Sequence, residues 1–199
     1  KESVPDLKQT PEVLEFVKMW SGYGFWSVLI FLGVGTVLTL ILQSSSATMA
    51  ITLIMLSMGW IPFNMACAMV LGENIGTTIT ALLASVGQSK DAKRTAVAHS
   101  VFNISGALIF IWIIKPFAAF IQYISPKGVE VEVIARQIAN AHTAFNVVNT
   151  IIWIPLIWLM VKIVMWILPD KGGEGKEEEN LNGGTLISSL GMELRQLCH

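Results

Sequence analysis

The sequence predicts an all-α integral membrane protein, and two observations predict it. Of its 199 residues 53% are hydrophobic and only 14% are charged, where an ordinary soluble domain carries about 25% charge. Between Met19 and Gln88 the one formal charge is Glu73. As continuous helix that stretch would be roughly 105 Å long, more than three crossings of a hydrocarbon core about 30 Å thick. A soluble fold would carry charges on the outer faces of such helices, and here they are missing.

The elements follow in order. Residues 1–24 read as a polar N-terminus and an interfacial helix. Thr10-Pro11-Glu12 has the pattern of a helix start, with a capping hydroxyl, proline in the first turn and an acid beside it. Trp20, Tyr23 and Trp26 suit the membrane interface. Phe25 to Leu42 is an apolar arm. The polar tip Gln43-Ser44-Ser45-Ser46-Ala47-Thr48 follows, and then a second arm, Met49–Met58, too short to span alone. This reads as a broken-helix or re-entrant hairpin. Gly59-Trp60-Ile61-Pro62 is a turn. Phe63–Leu71 and Ile79–Val86 flank Gly72-Glu73-Asn74-Ile75-Gly76-Thr77-Thr78, which reads as the break of a discontinuous transmembrane helix.

Two further transmembrane helices are expected. One runs from Thr95 to Ile114 and stops at Lys115-Pro116; the other runs from about Val133 to Leu168 and is long enough to bend near Pro155. Between them, Phe117–Val133 reads as a loop with an interfacial piece. The loop Gly87–Arg94 carries Lys90, Lys93 and Arg94, which places it on the cytoplasmic face. Residues 169–199 read as an acidic cytoplasmic linker and the start of a truncated C-terminal region. The chain begins at Lys rather than Met and shows no signal peptide, so it is expected to be processed or cut from something longer.

Composition also excludes roles. A net charge of −1 with no basic cluster excludes nucleic acid as an expected partner. Cys67 and Cys198 make neither a metal spacing nor a disulfide framework, and Cys67 reads as a small core residue. No cofactor and no metal beyond Na⁺ is expected.

The chemistry sits in the two polar stretches. Three hydroxyls and an amide between apolar arms are costly unless the chain unwinds and uses them. With a break here, Ser45 or Ser46 caps the second arm. Its backbone N–H groups, with the hydroxyls of Ser44, Ser45 and Ser46, then suit an oxyanion. The Gln43 amide oxygen and nearby carbonyls suit a hard cation such as Na⁺. The bland alternative is a serine-rich helix bonded back to its own carbonyls. In the second stretch Asn74 caps the arm that follows, and Thr77 and Thr78 supply oxygens. Glu73 is a ligand for Na⁺, a proton carrier, or a partner of a helix dipole. No Lys or Arg lies between residues 19 and 89. A bound anion therefore depends on helix N-termini, neutral donors and co-bound cations. The candidates are Ser44, Ser45, Ser46, Asn74, Thr77 and Thr78 for substrate, and Gln43, Ser45, Thr48, Glu73, Asn74 and Thr77 for Na⁺.

One echo recurs. Ala98-His99-Ser100-Val101-Phe102-Asn103 matches Ala141-His142-Thr143-Ala144-Phe145-Asn146. Each puts a His and an Asn on one helix face. His99, Asn103, His142 and Asn146 read either as polar glue between helices or as the lining of a ligand path.

Gln43–Thr48 (QSSSAT), Gly72–Thr78 (GENIGTT) and Ala141–Asn146 (AHTAFN), in this order over Val28–Leu168, resemble the type II sodium–phosphate cotransporter family, bacterial branch. The resemblance implies that residues 25–168 are one of two inverted repeats, the second QSSS-containing one. It implies that two QSSS motifs meet near the membrane centre to bind phosphate and Na⁺. This chain holds one QSSS, so a homodimer or a missing half is expected to supply the other. The family position that the resemblance associates with Ala holds Glu73. The implied function is sodium-coupled symport of inorganic phosphate in a bacterial inner (plasma) membrane, by a multi-pass protein that is not an enzyme.

Two other functions fit parts of the pattern. An intramembrane serine hydrolase would use Ser44, Ser45 or Ser46 with His99 or His142, although no glycine flanks the serines as a nucleophile turn requires. A non-transporting structural membrane subunit would turn both polar stretches toward protein only.

Overall fold

The computed structural model describes residues 24–128 and 130–169, together with Glu15 and Met19. The readings of the N-terminal helix start, of Trp20 and Tyr23, and of the acidic tail lie outside the described residues. Seven helices follow in order: α1 (Phe25–Leu42), α2 (Ser45–Ser57), α3 (Phe63–Ala84), α4 (Lys90–Trp112), α5 (Ile114–Ile124), α6 (Val131–Trp153) and α7 (Ile157–Ile167). Among the described residues there is no strand. The protein is all-α. Residues up to Met160 form one compact unit; a second runs from Val161 and is described only through Pro169.

Three helices, α1, α3 and α4, are long and apolar enough to cross a bilayer, and α6 with α7 make a fourth span if that broken pair is counted as one. The break holds Pro155, which lacks the N–H that a continuing helix needs. The bend expected there is present.

Residues of α3 form the centre of the core. From Met65 to Asn74 every residue of α3 is buried. Its closest neighbour is α1, and glycine explains how they approach. A β-carbon on Gly35 would collide with the Met69 carbonyl, and one on Gly72 with the Leu32 carbonyl. One on Gly76 would lie 2.6 Å from Thr39 Cβ. Gly35 meets Met69, Thr36 meets Gly72 and Thr39 meets Gly76, an order that advances along both helices, so α1 and α3 run parallel. Thr36 Oγ1 donates to the Gly72 carbonyl at 3.1 Å across this seam. Gly72 and Gly76, four apart, are the small-residue pair that lets membrane helices touch backbone to backbone.

That seam corrects one expectation. The stretch Gly72–Thr78 is not a break; α3 is continuous for 22 residues. The asparagine and threonine side chains are satisfied inside the helix, so unwinding would gain them nothing. Asn74 Nδ2 donates to the Val70 carbonyl at 2.9 Å, Thr77 Oγ1 to Glu73 O at 2.8 Å and Thr78 Oγ1 to Ile75 O at 2.7 Å. Asn74 therefore caps no half-helix. A bend of 89° at a short break instead separates α6 from α7.

Three smaller differences are local. The third span begins at Lys90 rather than Thr95, because Ser89 caps it and accepts from Ala92 N at 3.3 Å. The region read as a loop after Pro116 is the helix α5. Pro116 falls in its first turn, where a missing N–H costs nothing. Ile114, Phe117, Ala118 and Ile121 are its buried stripe. The second arm of the hairpin begins at Ser45 rather than Met49. Phe25 stacks on Trp112 with ring centroids 4.9 Å apart, so the start of α1 and the end of α4 share one level.

Candidate functional site

The hairpin tip is built by two residues of unlike backbone. Gln43 ends α1 with φ 49 and ψ 29, a left-handed conformation that costs a non-glycine residue about 1 kcal/mol or more. Ser44 is extended at φ −149 and caps α2, its Oγ accepting from Ala47 N at 3.2 Å. The expected break is present, and the cap is Ser44 rather than Ser45 or Ser46. Ser45 is half-buried, and Ser46 and Gln43 are exposed. Ser46 lines a cleft of about 220 Å³ with Met49, Leu53 and Ile138.

Below the tip, hydroxyls continue inward. Thr39 Oγ1 donates to Thr48 Oγ1 at 3.1 Å and lies 2.9 Å from the Gly35 carbonyl. Thr48 Oγ1 donates to Ser44 O at 3.2 Å. One turn further along α2, Thr52 Oγ1 donates to Glu73 Oε1 at 2.9 Å and lies 3.0 Å from the Thr48 carbonyl. A hydroxyl has one proton, so Thr52 serves one of these acceptors at a time. Thr39, Thr48, Thr52 and Glu73 are each no more than 1% exposed. Glu73 Oε2 is buried and has no hydrogen-bond partner in the described structure.

The chemistry of this cluster is acceptor-rich. It combines a carboxylate, hydroxyl oxygens and carbonyls, in a region with no Lys or Arg between residues 19 and 89. An orphaned carboxylate oxygen in a membrane interior is costly unless a cation or proton meets it. The donor set fits a hard monovalent cation.

The structure joins some candidates and separates others. Thr52 Oγ1 stands between the Thr48 carbonyl and Glu73 Oε1, and Thr39 donates to Thr48 from the other side. Asn74, Thr77 and Thr78 sit on α3 one to five residues past Glu73, their side chains turned back to their own helix. No hydrogen bond among the described residues joins them to Ser44, Ser45 or Ser46. Thr39 and Thr52 were absent from the sequence candidates. Their signal was helical spacing: Thr48 and Thr52 stand one turn apart on the short arm, and Thr39 stands four before Gln43.

The asparagines of the His/Asn echo make no bond between helices among the described residues. Asn103 Nδ2 donates to His99 O at 3.2 Å and Asn146 Nδ2 to His142 O at 2.8 Å, so both turn back to their own helices. The bonds between α4 and α6 come from residues further along. Asn149 Nδ2 donates to Phe102 O at 2.8 Å, in space left by Gly106, and Trp153 Nε1 donates to Ser105 Oγ at 3.1 Å. His99 is exposed and lines an apolar cleft of about 390 Å³ with Phe102, Trp153 and Ile157. Among the described residues no hydrogen bond links His99 or His142 to a serine of the tip.

Residues 27–127, half of the chain, match the family described as Na⁺/Pi-cotransporter. The chain belongs to the Na⁺/Pi-cotransporter family. The match covers α1 to α5 and therefore the QSSS tip, the hydroxyl ladder and Glu73. An uncharacterized protein of Bacillus subtilis, YqeW, is 36% identical over 146 residues, 73% of this chain and 45% of that protein. The mouse sodium-dependent phosphate transport protein 2C is 38% identical over 98 residues, 47% of this chain and 16% of that protein. The human sodium-dependent phosphate transport protein 2B is 40% identical over 88 residues, 42% of this chain and 12% of that protein. The chain thus spans less than half the length of these Na⁺/Pi-cotransporter relatives. No solved structure matches it.

Proposed function

We propose that this chain is one half of a sodium-coupled transporter of inorganic phosphate, in the inner (plasma) membrane of a bacterium. The observation that carries the reading is the pairing of a capped helix start with an acceptor cluster. Ser44 opens α2 toward the hairpin tip, and the buried ladder leads from there to Glu73. The first suits an oxyanion and the second suits a cation. Without a basic residue in the region, the bound anion takes its balancing charge from Na⁺.

Ser44, Ser45 and Ser46 are the proposed phosphate donors, with the α2 N-terminus behind them. Gln43, Ser45, Thr48 and Glu73 are the proposed Na⁺ ligands, joined by Thr39 and Thr52. Asn74, Thr77 and Thr78 are one turn away and contribute through α3. Na⁺ is a coupling ion, with no other cofactor and no enzymatic step. A second QSSS repeat, from a homodimer or from the other half of a longer chain, completes the site. Residues 25–168 act as the transport repeat and residues 169–199 as a cytoplasmic linker.

The test is phosphate binding and uptake by the complete transporter at several Na⁺ concentrations. Phosphate affinity is expected to rise with Na⁺, and Na⁺ affinity to rise with phosphate by the same factor. Ser45→Ala is expected to weaken phosphate binding by roughly 1–3 kcal/mol, the cost of leaving a buried partner unpaired. Phosphate affinity that ignores Na⁺ removes the coupling.

A further inference from the structure

A second polar site lies at the other end of α3. A cleft of about 430 Å³ is lined by Pro62, Phe63 and Asn64 from α3 and by Lys115, Ala118 and Gln122 from α5. We infer that this cleft binds a phosphate group at the membrane interface, carried by a lipid headgroup or arriving as free inorganic phosphate.

Charge comes first. No acid lines the cleft, and Lys115 is its one charged residue. Lys115 is exposed, and among the described residues no ion pair neutralises it. Donors come second. Asn64 and Gln122 line the same cleft, and their carboxamides are N–H donors that can join the ammonium on one anion. The start of α3 adds to them, since Pro62 supplies no side-chain cap for the backbone N–H groups of that turn.

Position comes third. α5 buries Ile114, Phe117, Ala118 and Ile121 and exposes Phe120, Tyr123 and Ile124 at 54%, 80% and 51%. Trp112, just before it, is 75% exposed. A short helix with a buried stripe and aromatic residues on its outer side lies in the interface plane. The cleft is therefore at headgroup level. It stands about 15 Å along α3 from Glu73 and at the opposite end of α4 from Lys90–Arg94. It shares no residue with the QSSS tip.

The inference needs the chain to sit in a bilayer and does not need it to transport. Its test is acylation of Lys115 by a membrane-impermeant amine reagent, read by peptide mass spectrometry on the complete protein in vesicles. Three samples are compared at equal ionic strength: vesicles of a phosphate-free glycolipid (digalactosyldiacylglycerol) alone, the same lipid with phosphatidylglycerol, and the same lipid with inorganic phosphate. Labelling of Lys115 is expected to fall about tenfold in one of the last two, as one charge-assisted contact allows. The protecting sample names the source. Asn64→Ala with Gln122→Ala is expected to restore labelling while leaving Lys115 in place. If that pair does not fold, Gln122→Ala alone is expected to restore part of it. Equal labelling in all three samples, or equal protection by chloride, overturns the inference. Loss of Na⁺-dependent uptake elsewhere leaves this result unchanged, so the two readings fail separately.

Discussion

Gln43 is the residue where conformation and chemistry pull apart. Its left-handed backbone suits glycine, yet a glutamine stands there. Strain of this kind points to a role for the side chain. Gln43→Gly is expected to keep or raise stability by a few tenths to 1 kcal/mol while weakening the Na⁺ dependence of phosphate binding. Thermal unfolding measured beside Na⁺ titration separates the two effects; intact Na⁺ dependence removes the amide from the site. Ser44 is the opposite case. Ser44→Ala is expected to cost about 1 kcal/mol through its cap, seen as faster amide exchange in the first turn of α2. Glu73→Gln keeps the size and one acceptor but removes the charge. It is expected to change the Na⁺ or pH dependence of uptake by the complete protein, and unchanged profiles would take Glu73 off the list.

At the scale of elements, the sequence was informative where polarity conflicts with periodicity. QSSS cannot hide three consecutive hydroxyls on one helix face, so a break was legible there. GENIGTT looked equally interrupted but is not. Its asparagine and threonines satisfy themselves on the preceding turn, and its glycines face a neighbouring helix rather than a kink. A single sequence does not distinguish a glycine that bends from one that packs, because both need only a missing side chain. The same limit hid Asn149, whose partner is the Phe102 carbonyl 47 residues away. Gly76→Leu is therefore expected to disrupt the α1–α3 seam and destabilise the protein by several kcal/mol, as overpacking against backbone does. Gly33→Ala, with open space around its β-position, is expected to be neutral or mildly stabilising. Detergent-resistance or unfolding assays compare the two directly.

At the scale of the whole molecule, α4 fixes the topology. Lys90–Arg94 open it and Lys115 follows its end. A single crossing is expected to put the basic loop in the cytoplasm and residues 115–128 outside. Single cysteines at positions 91 and 128, probed with an impermeant reagent, are expected to label from opposite sides; labelling from the same side would refute the crossing. The membrane class was legible from composition and the charge-free stretch, and the Na⁺/Pi family from three short motifs. The interior ladder was not, because threonines scattered through apolar arms look like ordinary helix residues until two helices meet.

The glycine seam carries a mechanical consequence. Where two helices touch largely through backbone, with only the short, stiff side chains of Thr36 and Thr39 between them, little can change rotamer and absorb a displacement. α1 and α3 then turn as one rigid rod, with Glu73 fixed to the frame. The α2 arm hangs on this rod by hydroxyl contacts, Thr39 to Thr48 and Thr52 to Glu73, which break and re-form cheaply. If the chain is the proposed transport repeat, its gating stroke is expected in α2. Spin labels spanning α2 and α3 are expected to change separation when Na⁺ binds, while labels spanning α1 and α3 stay still.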